Sequence, residues 1–172
     1  MKKILLIAAI CLMTMAGNSQ NRKKFNYEKN QFGAYVVTPI FDQSKGVGKR
    51  GVATLSDPSY LSDVFDNITK QVMTNEKVDS LYTEASFIIT IGSNGDIINC
   101  RFSLHPKDMN VISDNDFYNL YVLFKKTKID TSKVKIGAPD AFPQNSKYDY
   151  TMIGGTLIPK DLRKRFPNSL IK

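Results

Sequence analysis

Cys100 and His105 are the residues best equipped for chemistry, and they stand five positions apart. A thiol next to an imidazole can form a nucleophile and base pair. His105 is the only histidine in the 172-residue chain, and Cys11 is the only other cysteine. Positions five apart on a strand point to opposite faces, so these two do not converge. No further histidine or cysteine stands by to complete a conventional zinc site. The pattern predicts a buried, inert thiol at Cys100, between Ile98 and Phe102, and a surface histidine in a turn beside Pro106.

Acid chemistry fares no better. A glycosidase needs two carboxylates facing each other across a cleft. Asp57, Asp63, Asp66, Asp114 and Asp116 read as turn or exposed helix-face residues, and Asp114 and Asp116 suit the start of a helix. Residues 46 to 49 read Gly-Val-Gly-Lys, a fragment of a phosphate-binding loop. The full motif needs a glycine where Gln43 stands and a Ser or Thr where Arg50 stands. Residues 42 to 51 are therefore expected to be a solvated, basic loop. The chain has no tryptophan to stack a sugar; Tyr148 and Tyr150 offer weaker platforms. The sequence thus predicts a non-enzymatic protein without metal or cofactor, with a hydrolase as a lesser alternative.

What positions these residues is a hairpin between two helices. Phe87, Ile89 and Ile91 share one face of a strand, and Ile98, Cys100, Phe102 and Leu104 share one face of the next, opposed by Asn99, Arg101 and Ser103. Residues 92 to 96, Gly-Ser-Asn-Gly-Asp, supply the turn. Before the hairpin, Ser56 or Asp57 can cap a helix with Pro58 in its first turn. Leu61, Val64, Phe65, Ile68 and Val72 form its apolar stripe, and Asn75 reads as its stop. After the hairpin, Ser113 and Asp116 can form a capping box ahead of Phe117, Leu120, Tyr121 and Phe124. Residues 129 to 146 read as a long connection. Tyr148, Tyr150 and Met152 then alternate in a third strand that Gly154 and Gly155 break or bulge. Residues 34 to 40 suggest a short strand that Pro39 confines to an edge or an end. Residues 20 to 31 look like a loose leader.

Residues 1 to 19 have the layout of a secretory signal peptide. Lys2 and Lys3 precede an apolar run over residues 4 to 15, too short for the roughly 20 residues of a membrane span. Ile10 before Cys11 argues against lipoprotein processing. Loss of residues 1 to 19 would lower the formal charge from +8 to +6 by removing two lysines. The expected location is periplasmic or secreted, with no transmembrane span in the mature chain. There, a basic protein meets an envelope protein or an anionic envelope polymer rather than nucleic acid. Cys100 would be the sole remaining thiol, which leaves no intramolecular disulfide.

The expected organisation is a signal peptide (1–19), an N-terminal extension with one short strand (20–56), a folded domain (57–160) and a basic tail (161–172). The fold class is α+β, a two-layer sandwich with a small antiparallel sheet and two helices on one face, in the order α-β-β-α-β. The hairpin 87–104, the capped helix and the segment "YDYTMIGGTLIP" resemble the C-terminal domain of TonB and its secreted relatives. Gly95, Asp96 and Ile97 fall at that family's Asp-Gly-Lys-Ile-like turn, and Pro159 falls where its last strand closes. The resemblance covers residues 57 to 160 and implies the fold and a habit of binding through an exposed strand edge. The sequence lacks the proline-rich spacer and the anchor of the energy-transducing members. The expected function is binding of a protein or the envelope by strand addition, and the alternative is a structural subunit of a surface assembly. The candidate binding residues are Tyr148, Tyr150, Lys160, Arg163, Lys164 and Arg165.

Overall fold

The structure, a computed structural model, describes residues 24–42, 44–138 and 147–163. The expected signal peptide with Cys11, and Lys164, Arg165 and the rest of the tail, lie outside the described residues. No described helix is long and apolar enough to cross a membrane.

The fold is α+β, built on an antiparallel sheet. Strands β1 (Phe25–Lys29), β2 (Tyr35–Pro39), β4 (Ser86–Gly92), β5 (Ile97–Leu104) and β7 (Tyr150–Thr156) form a sheet in the order β1-β2-β5-β4-β7. Every neighbouring pair in it runs antiparallel. A separate antiparallel pair joins β3 (Val52–Leu55) to β6 (Val134–Gly137). The helices are α1 (Tyr60–Thr69), α2 (Asn75–Ser80) and α3 (Asp114–Lys126).

The predicted hairpin is the centre of the sheet. Phe87 stands opposite Phe102, and Ile89 opposite Cys100, all buried. Gly95 takes φ +86° in the turn, a conformation that glycine reaches without a Cβ clash. Rings from two helices meet this face: Phe65 of α1 lies 5.1 Å from Phe87, Phe124 of α3 lies 4.8 Å from Phe87, and Phe117 lies 4.9 Å from Phe102. Burial of these side chains supplies the main driving force, at roughly 25 cal/mol per Å² of apolar surface. The Ser113–Asp116 capping box is present as expected, with both reciprocal hydrogen bonds.

Four local readings change. Residues 25 to 29 are not a loose leader but the edge strand β1, because Phe25 is fully buried, 5.8 Å from the Phe117 ring. Asn75 does not end a helix; Thr74 caps the short helix α2 there, and Val78 on it is buried. The connection after α3 contains β6, too short at four residues to show a period. Gly154 and Gly155 do not break β7, which runs on to Thr156; the register shift lies in the β4–β5 pairing, where Thr90 faces Asn99 and Ile91 faces Ile97, so that Ile98 of β5 is the extra residue. The sheet thus has five strands where three were expected, and the order α-β-β-α-β gains β1, β2 and β3 before it, α2 ahead of the hairpin and β6 ahead of the last strand.

Candidate functional site

Residues 42 to 51 carry the chain from β2, past the edge strand β7, into β3. The sequence reads this segment as a solvated, basic loop; its described residues are largely exposed, but Asp42, Ser44, Gly46 and Lys49 hold it to the rest of the fold. Asp42 accepts hydrogen bonds from the Ser44 backbone N–H at 2.8 Å and from the Tyr121 hydroxyl of α3, with Lys125 Nζ at 3.4 Å. Burial opposes ionisation of Asp42, but the Ser44 and Tyr121 hydrogen bonds and the Lys125 charge prevail and hold its pKa at about 2. Further along, the Ser44 carbonyl accepts from Asn99 Nδ2 of β5 at 2.5 Å. Gly46 lies flat against Tyr150; a Cβ there would stand 2.6 Å from the ring. The Lys49 N–H donates to Asp149 Oδ2 at 2.8 Å, so the Gly-Val-Gly-Lys stretch meets a carboxylate of its own chain. The segment is a strap across the sheet.

The strap ends where the Gly51 N–H donates to the Tyr150 carbonyl at 2.8 Å. From there β3 and β7 run parallel, with Arg50 bridged to Tyr150, but no further backbone hydrogen bond joins them among the described residues. Between them lies a cleft of about 630 Å³, walled by Ala53 and Leu55 on one side and residues 151 to 154 on the other, with Leu61 of α1 also lining it. That volume falls in the range of about 300–1,000 Å³ typical of ligand sites.

The backbone chemistry of the cleft follows from strand alternation. Leu157 N–H bonds the Ala85 carbonyl, which fixes residues 155, 153 and 151 as the positions bonded to β4. Met152 and Gly154 therefore turn their N–H and C=O groups toward the cleft. Neither has a partner there among the described residues.

The candidate binding residues do not gather at one place. Tyr148 and Tyr150 stand at the start of β7, where the strap arrives. Tyr148 is buried, with Lys49 Nζ 5.9 Å from its ring centre. Lys160 and Arg163 lie beyond the other end of β7. The Lys160 N–H donates to Asp66 Oδ1 at 2.6 Å and its ammonium pairs with Asp63. Arg163 Nε donates to the Ile158 carbonyl at 3.0 Å. Asp66 is not an exposed helix-face acid but a buried one. Burial raises its pKa, yet the Lys160 N–H and Lys70, whose Nζ stands 2.9 Å away, hold it below the ordinary carboxylate range.

Of the other chemistry-bearing residues, Cys100 is fully buried and free, and burial pushes its thiol pKa far up. His105 Nδ1 accepts from the Lys107 N–H at 3.2 Å and its ring leans on Tyr82, 4.8 Å between centres. Asp108 is fully buried and accepts from the backbone N–H groups of Tyr82 at 2.6 Å and Thr83 at 3.3 Å, a structural clamp. Among the described residues, no three His, Cys, Asp or Glu side chains come together as a metal-ligand group. Sequence reasoning missed Ala53 and Leu55 as cleft walls. The signal was the short alternation Val-Ala-Thr-Leu after the glycine-rich stretch. Asn99, which alternation sets opposite the apolar face of its strand, is covered by the strap.

No family model matches the chain, and no curated protein matches its sequence. Among solved structures, the chain is similar to a DUF5043 family protein from Bacteroides uniformis ATCC 8492. The TM-score is 0.54 at 12% identity over 77% of this chain and 83% of that one, a likeness of fold.

Proposed function

We propose that the protein is a non-enzymatic, exported binding module that takes an extended segment of an envelope protein along the edge of β7. The observation that supports this reading is the pair of outward-facing peptide groups at Met152 and Gly154, beside a cleft wide enough to admit a ligand. Free edge groups are a template for a further strand, with main-chain hydrogen bonds giving affinity and side-chain pockets giving selectivity. Leu61 and Leu55 give the cleft an apolar lining on its core side for every second side chain of such a segment, and Met152 lies on the opposite face. The TonB-like order of hairpin, helix and closing strand implies the same use of an edge. Tyr150 at one end of the strand, and Lys160 and Arg163 at the other, would then flank the docked segment.

The test is capture from envelope extract with three baits: wild type, Gly154→Ala and Gly154→Pro. Gly154 has room for a Cβ, whose nearest neighbour would be the Phe87 carbonyl oxygen at 3.6 Å. Its N–H faces the cleft, so proline there removes an edge donor without breaking the β4 ladder. A partner held by wild type and Gly154→Ala but lost with Gly154→Pro supports strand addition. Equal capture by all three, or none by wild type, sinks it. If a second copy of this chain is the segment's source, sedimentation would show association that rises with concentration and is lost in Gly154→Pro.

A further inference from the structure

The sheet face turned away from the helices carries a second cavity, distinct from the edge cleft. Ile88 and Thr90 of β4, Asn99 and Arg101 of β5 and Met152 of β7 form its floor, and Lys45 of the strap stands over it. Its volume is about 280 Å³. Asn99 is only 6% exposed. Its Nδ2 donates to the Ser44 carbonyl, which fixes the amide's orientation; turned over, it would set two oxygens against each other. Its Oδ1 is then buried with no hydrogen-bond partner among the described residues. A buried acceptor left without a donor costs about 1–3 kcal/mol. Such a group in a native fold calls for a missing partner.

The charges around the cavity are equally one-sided. Lys45 and Arg101 line it, and no Asp or Glu does. Neither cation forms an ion pair with a described carboxylate. Glu28 lines an adjoining cavity of about 510 Å³ that shares Lys45 and Arg101, and its carboxylate accepts from Asn26 Nδ2 at 2.7 Å. The site therefore offers an acceptor without a donor, the Thr90 hydroxyl, and two cations without an anion. One small molecule that answers all of these carries a hydroxyl and an acid on the same ring.

We infer that this face binds a uronic acid unit of an acidic polysaccharide. The carboxylate sits on Arg101, whose planar fork matches two carboxylate oxygens, and on Lys45. A ring hydroxyl seated on the cavity floor beside Thr90 lies over Asn99, whose Oδ1 lacks a donor. The cavity lies below the size of a drug-like ligand site, so it takes one ring. The adjoining cavity gives the next unit of the chain a place along the same two cations.

The test is calorimetric titration of the purified protein at physiological salt with trigalacturonic acid. Maltotriose, glucose 6-phosphate and triglutamate serve as the neutral-sugar, phosphate and peptide arms. Arg101 and Lys45 are exposed, so Arg101→Gln and Lys45→Gln should keep the wild-type thermal midpoint. The expected result is saturable binding of trigalacturonic acid alone, weakened about tenfold by each of these substitutions, as loss of a charge-assisted hydrogen bond implies. Lys126→Gln on α3, which removes the same charge elsewhere, should leave binding unchanged. The inference is overturned if trigalacturonic acid does not bind. It is equally overturned if Lys126→Gln weakens binding as much as Arg101→Gln does, or if maltotriose, the sugar phosphate or triglutamate binds as tightly.

Discussion

The Gly51 N–H donates to the Tyr150 carbonyl at 2.8 Å, and this bond joins β3 to β7 at one end. Past it the two strands share no backbone hydrogen bond among the described residues, and the cleft opens between them. One contact thus both anchors the strap and leaves a stretch of sheet edge unpaired.

Amide exchange along β7 should show that alternation. Thr151 and Ile153 donate into the sheet toward β4, while Met152 and Gly154 point into the cleft. In the free protein, the Met152 and Gly154 amides are expected to exchange markedly faster than those of Thr151 and Ile153. Residue-resolved exchange by NMR checks this, and uniform protection along β7 would contradict the open edge.

Two adjacent glycines should respond oppositely to alanine. A Cβ at Gly155 would stand 2.5 Å from Phe87 Cζ in the centre of the core, whereas at Gly154 the nearest atom would be 3.6 Å away. Gly155→Ala is expected to destabilise by about 1–3 kcal/mol through overpacking. Gly154→Ala should stay within about 0.5 kcal/mol of wild type. Urea denaturation of both variants gives the comparison directly.

Asp108 should matter for stability rather than for binding. Its carboxylate receives two backbone N–H groups and the Thr83 hydroxyl in a fully buried position. Asp108→Ala strands those donors and is expected to cost about 1–3 kcal/mol for the unpaired groups. Asp108→Asn, which keeps an acceptor, should recover part of that loss in the same denaturation experiment.

Asp42 sets an acid-side dependence. Its folded pKa of about 2 lies below the ordinary aspartate value of about 3.9, so the unfolded chain binds its proton first as pH falls. The stability it contributes is fully present above about pH 4 and is lost as pH drops toward about 2. Asp42→Asn should flatten the stability curve in that window and loosen the strap. Denaturation of both proteins from pH 2 to 6 measures the difference.

Cys100 should resist a bulky maleimide until the protein unfolds. It is fully buried between the sheet and the helices, and burial keeps the thiol protonated. Labelling that is complete in native buffer at the rate of a denatured control would show that the β5 face is not packed as described.

Much of this architecture was legible in the residues. The period-2 apolar runs at 87–91 and 98–104 specify a hairpin, because a half-buried strand must alternate. The Ser113 and Asp116 spacing specifies a helix start, since both side chains answer orphaned N–H groups. The third strand was readable in the alternation around Tyr150 and Met152, but its register was not: Thr151, Ile153 and Gly155, not the larger Tyr150 and Met152, stand opposite Ile91, Ile89 and Phe87. Phe25, Asn26, Tyr27 and Glu28 also alternate, but so short a run shows its role only when Phe25 meets Phe102 and Phe117, far along the chain.

The rest was decided by contacts between distant segments. Nothing local to residues 42 to 51 says that a glycine-rich stretch is a strap; that follows from Asn99, Asp149 and Tyr150 reaching it from other strands. Nor could the sequence show which strand lies at an edge, because edge and interior strands differ in their neighbours rather than in their alternation. Local pattern therefore determined which faces are apolar and where elements begin. Only tertiary structure determined which peptide groups and which cations were left without partners, since a missing partner is a property of the whole assembly of strands.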